Sequence, residues 1–140
     1  MPLLLFEGRS GKLILPILRP GRGNKAINIS GLLKQLITKF RKKWKHTQII
    51  VRGDSHFCSH DFMDRATEQQ DGIHFITGLA GNVKLQKITA HWLDTAVASY
   101  KATGEEVRMF HSFMYKANSW KHPQRVVVKI EVNSLGTNVR

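Results

Sequence analysis

The sequence predicts an α/β fold built on a mixed sheet. Two observations carry this reading. Short β-type runs, some continuously apolar and some alternating, are interleaved with longer stretches of helical period. No repeat or low-complexity tract breaks the order. With 140 residues, 41% of them hydrophobic, the chain is long enough to bury a core as one domain.

Leu3 to Phe6 is a continuous apolar run and predicts a strand buried on both faces. Glu7 to Lys12, with two glycines, predicts a turn, and Leu13 to Leu18 the returning strand of a hairpin. Pro16 lacks the amide a ladder needs, so this strand lies at an edge or carries a bulge. Arg19 to Asn24 has loop chemistry. A helix follows, capped by Asn28 or Ser30. Its apolar residues Leu32, Leu33, Leu36, Ile37, Phe40 and Trp44 share an arc of roughly 140°. Lys34, Arg41 and Lys45 fall on the opposite side, which reads either as a solvated face or as a phosphate-facing one.

Ile49-Ile50-Val51 predicts a buried central strand, ended by Gly53 and followed by Asp54. Asp61 to Gln70 has helical composition, with Asp71-Gly72 as its stop signal. Ile73 to Thr77 is a short strand. Leu85, Ile88, Trp92, Ala96 and Tyr100 follow helical spacing, so a long helix spans about Val83 to Lys101. Alternation from Val107 to Tyr115, and again from Val126 to Val132, predicts two half-buried strands.

The formal net charge is +12, which points to an anionic partner, nucleic acid before membrane surface. Residues 1–60 hold 12 Lys/Arg against Glu7 and Asp54 alone, while residues 61–140 are nearly balanced. A single cysteine excludes a disulfide framework and a multi-cysteine zinc module within the chain. It suits a reducing cytoplasm. No run approaches the roughly 18 apolar residues of a membrane span, and the N-terminal residues lack the form of a secretory signal.

Several residues invite chemistry. Asp54, at the carboxyl end of a strand, stands where open α/β sheets bind ligands, and a carboxylate there suits Mg²⁺ or Mn²⁺. The plainer reading is a cap for the next turn. Asp61, Asp64 and Glu68 read as a solvated helix face. His56, Cys58 and His60 alternate, but no second pair with zinc spacing accompanies them. Cys58 as a nucleophile rests only on nearby histidines. Neither glycine-rich segment matches a phosphate loop of the Walker type, and the zinc-deaminase signature is absent. Trp120-Lys121-His122-Pro123-Gln124-Arg125 sets an aromatic beside cations. It reads as a stacking contact with nucleic acid or as a surface turn around a partly buried Trp.

The run Ile49 to Cys58, with Gly78-Leu79-Ala80-Gly81-Asn82 downstream, resembles the DDE transposases of bacterial insertion sequences, group 1. Leu3-Leu4-Leu5-Phe6-Glu7-Gly8, Leu18-Arg19-Pro20-Gly21, and Ser119-Trp120 followed by Gln124 to Lys129 extend the match in the family's order. The resemblance implies an RNase H-like core in which three acids hold two Mg²⁺ or Mn²⁺ ions for DNA cleavage and strand transfer. Asp54 matches the second acid; His56 departs from the Gly of many relatives. The family's first Asp precedes the strand at Leu3, and its Glu lies beyond Arg140. The resemblance therefore implies an internal piece of a transposase, inactive alone, with an incomplete sheet. Residues 1–82 would form a partial core, and residues 83–140 a β-containing, DNA-binding insertion with the return toward the core.

Arg19, Lys34, Arg41 and Lys45, with Trp120, Lys121 and Arg125, are the candidate DNA contacts. Transposon-end and target DNA are the implied partners, in a nucleoid-associated cytoplasmic setting. Strand edges left without the family's first strand predict marginal stability or self-association. Two other readings stand beside this one: a non-enzymatic basic nucleic-acid-binding module, and a non-functional remnant of a mobile element.

Overall fold

The computed structural model describes residues 2–18, 29–69 and 72–140. The element order is β1 (Pro2–Phe6), β2 (Leu13–Leu18), α1 (Ile29–Lys43), β3 (Ile49–Gly53), a 3-10 turn (Ser55–Phe57), α2 (His60–Gln69), β4 (Ile73–Thr77), α3 (Val83–Thr103), β5 (Val107–Tyr115), β6 (Gln124–Asn133) and β7 (Gly136–Val139). The class is α/β, with antiparallel and parallel pairing both present. The strands form three sheets: β1-β2, β3-β4 and β5-β6-β7. Two compact units divide the chain, residues 1–47 and 48–140.

In the first unit, β1 and β2 pair as the predicted antiparallel hairpin. The Glu7 carboxylate closes its turn by accepting from the amides of Arg9 (2.9 Å) and Ser10 (2.6 Å). Hydrogen bonds from the Ser10 side chain, then from these two amides, hold its pKa down at about 2. The register skips Ile14 between the Leu5–Leu15 and Phe6–Leu13 pairs. This bulge falls two residues before Pro16, and bends the strand where the proline withholds an amide. β1 is not buried on both faces: Leu3 is buried, while Leu4 and Phe6 are exposed. With β2 as its only partner among the described residues, the strand alternates like any half-covered one.

Helix α1 buries Leu33 and Ile37. Ser30 is not its cap, because the helix already includes Ile29; Asn28 lies outside the described residues. Trp44 follows the helix, with its ring 5.6 Å from that of Phe40. Lys45 also lies past the helix, in the turn that follows, so it does not continue the face of Lys34.

In the second unit, β3 and β4 run parallel, Ile49 opposite Ile73 through Gly53 opposite Thr77. α2 provides the crossover that parallel strands require. The sequence suggests a central strand at Ile49–Val51, but among the described residues β3 pairs only with β4, and Ile50 is 61% exposed. One face of this pair is covered, the other bare.

Helix α3 starts at Asn82, whose side chain accepts from the Leu85 amide at 2.9 Å. It ends at Gly104, whose positive φ of 71° suits a glycine. The inner face of β5-β6 packs on α3: Val128, Ile130 and Val132 join Ala96 in a buried cluster flanked by Trp92, Leu93 and Val107. β7, absent from the sequence reading, returns from a turn at Asn133–Gly136 and pairs with Ile130–Asn133. His111 on β5 stacks flat on Trp92, with centroids 4.6 Å apart and planes 4° off parallel. Its Nε2 is buried with no hydrogen-bond partner among the described residues.

Two thermal melts probe this core. Ile130→Ala, at a fully buried position, is expected to cost about 2–5 kcal/mol. His111→Phe keeps the ring stack and removes an unmet polar atom, whose burial costs about 1–3 kcal/mol. The expected outcome is an unchanged or higher Tm; a clear fall would mean that Nε2 has a partner.

Candidate functional site

The Asp54 site forms where two parallel strands end together. Gly53 closes β3 and Gly78 follows β4, and the Gly78 amide donates to the Gly53 carbonyl at 3.2 Å. Both glycines are sterically required. A Cβ on Gly78 would lie 2.9 Å from the Ser55 amide nitrogen, and one on Gly53 would lie 2.7 Å from the Phe57 ring. Such distances force backbone or ring to move. Without those side chains, Asp54 sits exposed at the strand's carboxyl end. Its carbonyl accepts from the Phe57 amide at 3.0 Å, which winds the chain into the 3-10 turn. Two motifs about 25 residues apart in sequence thus meet at one backbone contact.

The chain then enters α2. The Ser59 carbonyl accepts from the amides of Phe62 and Met63. The Cys58 thiol lies 3.9 Å from the Met63 sulfur, and His60 is 3.3 Å from Asp61. The side chain of His56 lies outside the described residues. Among the described residues, no three His, Cys, Asp or Glu side chains gather to hold a metal ion. A pair of divalent ions needs several hard oxygen ligands. Asp54 supplies one carboxylate, so the described residues do not by themselves fit such a pair.

The three acids of α2 do not form one solvated face. Asp64 is buried. Its carboxylate accepts from the amides of Lys121 (3.1 Å) and His122 (3.3 Å). Glu68, one turn on, accepts from Lys121 Nζ at 3.3 Å and lies 3.2 Å from His122 Nε2. Thr67 receives the Gln124 side-chain amide at 3.0 Å. A polar row on α2 thereby clamps the loop before β6. Beneath it, Met63, Tyr115 and Trp120 form a buried cluster, with the Trp120 ring edge-on to Tyr115 at 5.5 Å. Asn82 donates to the Tyr115 hydroxyl at 3.3 Å, binding the start of α3 to the same cluster.

The remaining candidate DNA contacts divide between the two units. Arg19 lies outside the described residues. Lys34 is exposed on α1 and Lys45 in the following turn. Arg41 Nη1 donates to the carbonyls of Trp44 and Thr47, so the guanidinium fastens the end of α1. Trp120 is only 8% exposed, and its ring is packed in the cluster with Tyr115 and Met63. Lys121 is exposed but engaged with Glu68. Arg125 is exposed on β6. Sequence reasoning missed Asp64, because its partners lie 57 residues away and are backbone amides. No side-chain pattern records such a bond.

Comparison with known proteins adds one match. A family model described as transposase DDE domain group 1 covers residues 1–140, the whole chain. No curated protein and no solved structure matches.

Asp64→Ala leaves two part-buried amides without their carboxylate partner. The expected cost is about 1–3 kcal/mol, with faster hydrogen exchange at Lys121 and His122; unchanged exchange there would contradict the clamp. Glu68 supplies a pH test. Its carboxyl is held below its ordinary value by the hydrogen bond from His122, then by Lys121. A depressed carboxylate stabilises the fold above its unfolded pKa, and that support fades as pH falls through the folded one. An NMR titration is expected to find the Glu68 midpoint lowered in the intact chain and restored upward in His122→Ala.

Proposed function

From the premise that this chain belongs to the transposase DDE domain group 1 family, we propose that it supplies the second acidic ligand and a DNA-facing surface of a transposase. The intact enzyme would cut and transfer DNA strands with Mg²⁺ or Mn²⁺. One observation carries the reading: an exposed Asp54 at the end of a parallel strand, held there by the close approach of Gly78 to Ser55. An exposed carboxylate on a turn fixed at both ends suits a hard divalent cation. The other acids of such a site would come from outside the described residues. On this reading the chain alone does not cleave DNA.

The family frame also supports an RNase H-like core for residues 1–82 and an insertion with return strands for residues 83–140. Lys34, Lys45 and Arg125 remain candidates for phosphate contact by their exposure. Arg19 remains one from sequence alone, while Arg41, Trp120 and Lys121 already have structural partners. The edges of β1 and β3 left unpaired among the described residues, beside exposed Leu4, Phe6 and Ile50, favour self-association. No helix among the described residues is long and apolar enough to cross a membrane. Insertion-sequence origin and nucleoid association belong to the same proposal.

A second reading, a non-enzymatic nucleic-acid-binding module, is favoured by the exposed Lys42, Lys43 and Lys45 at the end of α1. Divalent binding separates the two. Manganese titration followed by electron paramagnetic resonance is expected to show weak binding that disappears in Asp54→Asn. Equal binding by both proteins would refute the assignment of Asp54. A plasmid-nicking assay with Mn²⁺ is expected to show no cleavage by this chain. Nicking that vanishes in Asp54→Ala would mean that the chain holds a complete site. Light scattering across a concentration series tests self-association, and a monodisperse monomer throughout would count against it.

A further inference from the structure

The outer face of the β5-β6-β7 sheet carries an unusual alternation. The inner face packs on α3, so the opposite parity points to solvent. On β5 this outer parity presents Arg108, Phe110, Ser112 and Met114; on β6 it presents Arg125, Val127, Lys129 and Glu131. Phe110 and Met114 are each 62% exposed, and Val127 is 53% exposed. The register sets Phe110 opposite Lys129, and Met114 opposite Arg125. Apolar and cationic side chains are therefore direct cross-strand neighbours. Arg140, which exchanges both backbone hydrogen bonds with Lys129, adds a cation on the same face.

Charge selects the occupant. Glu131 is the one acid on this face among the described residues, and it is already paired with Lys129 (2.7 Å) and Arg108 (2.9 Å). The four cations exceed the one acid, and Arg125 takes no part in its ion pairs; that positive excess asks for a polyanion. The apolar groups narrow the choice. A duplex offers phosphates but hides its base faces, so exposed Phe110 and Met114 would gain little from it. A single strand offers phosphates and unstacked bases together, which suits an open sheet carrying an aromatic between cations.

We propose that the outer face of β5-β6-β7 binds single-stranded DNA, with a base stacked on Phe110 and a phosphate held by Arg125. This deepens the DNA reading above and partly rests on it, yet it uses none of the residues around Asp54. It replaces the buried Trp120 with Phe110 as the stacking aromatic of residues 83–140.

Fluorescence anisotropy with a labelled mixed-sequence single-stranded oligonucleotide, and with its duplex, tests the proposal on the full chain. The expected result is tighter binding of the single strand. Phe110→Ala is expected to weaken it at least about fivefold, with the salt dependence unchanged, and Phe110→Trp to retain it. Arg125→Ala is expected to flatten the slope of log affinity against log salt by about 0.7, one phosphate contact. Phe110 is exposed, so its replacement leaves the core untouched, and circular dichroism checks this. Single-strand binding that ignores Phe110→Ala, or an equal loss for duplex, overturns the proposal. Self-association abolished by Phe110→Ala, with oligonucleotide binding intact, overturns it in favour of a second copy of the chain. Manganese binding at Asp54, measured on the same variants, keeps the outcomes separate. If it persists while Phe110 proves irrelevant, only the sheet-face assignment falls.

Discussion

Within residues 48–140, the parallel pair β3-β4 and the antiparallel sheet β5-β6-β7 share no strand pairing. Their connection depends on what crosses between them, and the buried Asp64 carboxylate is the chief crossing. It meets two loop amides that would otherwise lack partners, and the loop it holds carries Trp120 into the cluster with Met63 and Tyr115. Burying a carboxylate is costly unless it is fully hydrogen-bonded, and backbone amides supply that compensation without a counter-charge. Thr67 and Glu68 extend the contact toward solvent, where exposed charge pairs contribute little. The apolar cluster gives this junction its area, and the carboxylate gives it a register.

The family resemblance looks different in this light. Gly78 is there because the Ser55 backbone approaches too closely for a side chain, and Gly53 because the Phe57 ring fills the space of one. Asn82 caps α3 and reaches Tyr115. Trp120, Gln124 and Val128 build the core and the clamp. Of the motif's two acids, Glu7 is engaged in closing the hairpin turn, and Asp54 stands exposed at the carboxyl end of a parallel strand. Most of the shared signature therefore encodes geometry around one chemical group.

Much of the fold was legible in the sequence because local period reports local structure. The alternation from Val107 to Tyr115 and from Val126 to Val132 predicts β5 and β6, and the spacing from Leu85 to Tyr100 predicts α3. What escaped depends on partners distant in sequence. Leu3–Phe6 looked buried on both faces because an apolar run cannot say how many neighbours its strand has. Asp64 looked solvated because an acid on a polar helix face usually is. Gly136-Thr137-Asn138-Val139 carries too little apolar content to announce a strand, and β6 imposes its conformation by pairing. Asp54 itself was legible, from a strand-ending glycine and the family pattern, but the contact between Gly78 and Ser55 was not.

The clamp at Asp64 also bears on the order of assembly. β5 and β6 are joined by residues 116–123 alone, and such local contacts form early. The bond from Asp64 to Lys121 closes a loop of 57 residues, at an entropic cost of roughly 3–4 kcal/mol beyond a constant. α3 and the hairpin must already be in place before that closure is repaid. An interaction made so late contributes little to the folding barrier and much to the unfolding one. Asp64 therefore acts as a latch on the lifetime of the native state, long after the hairpin it secures has formed.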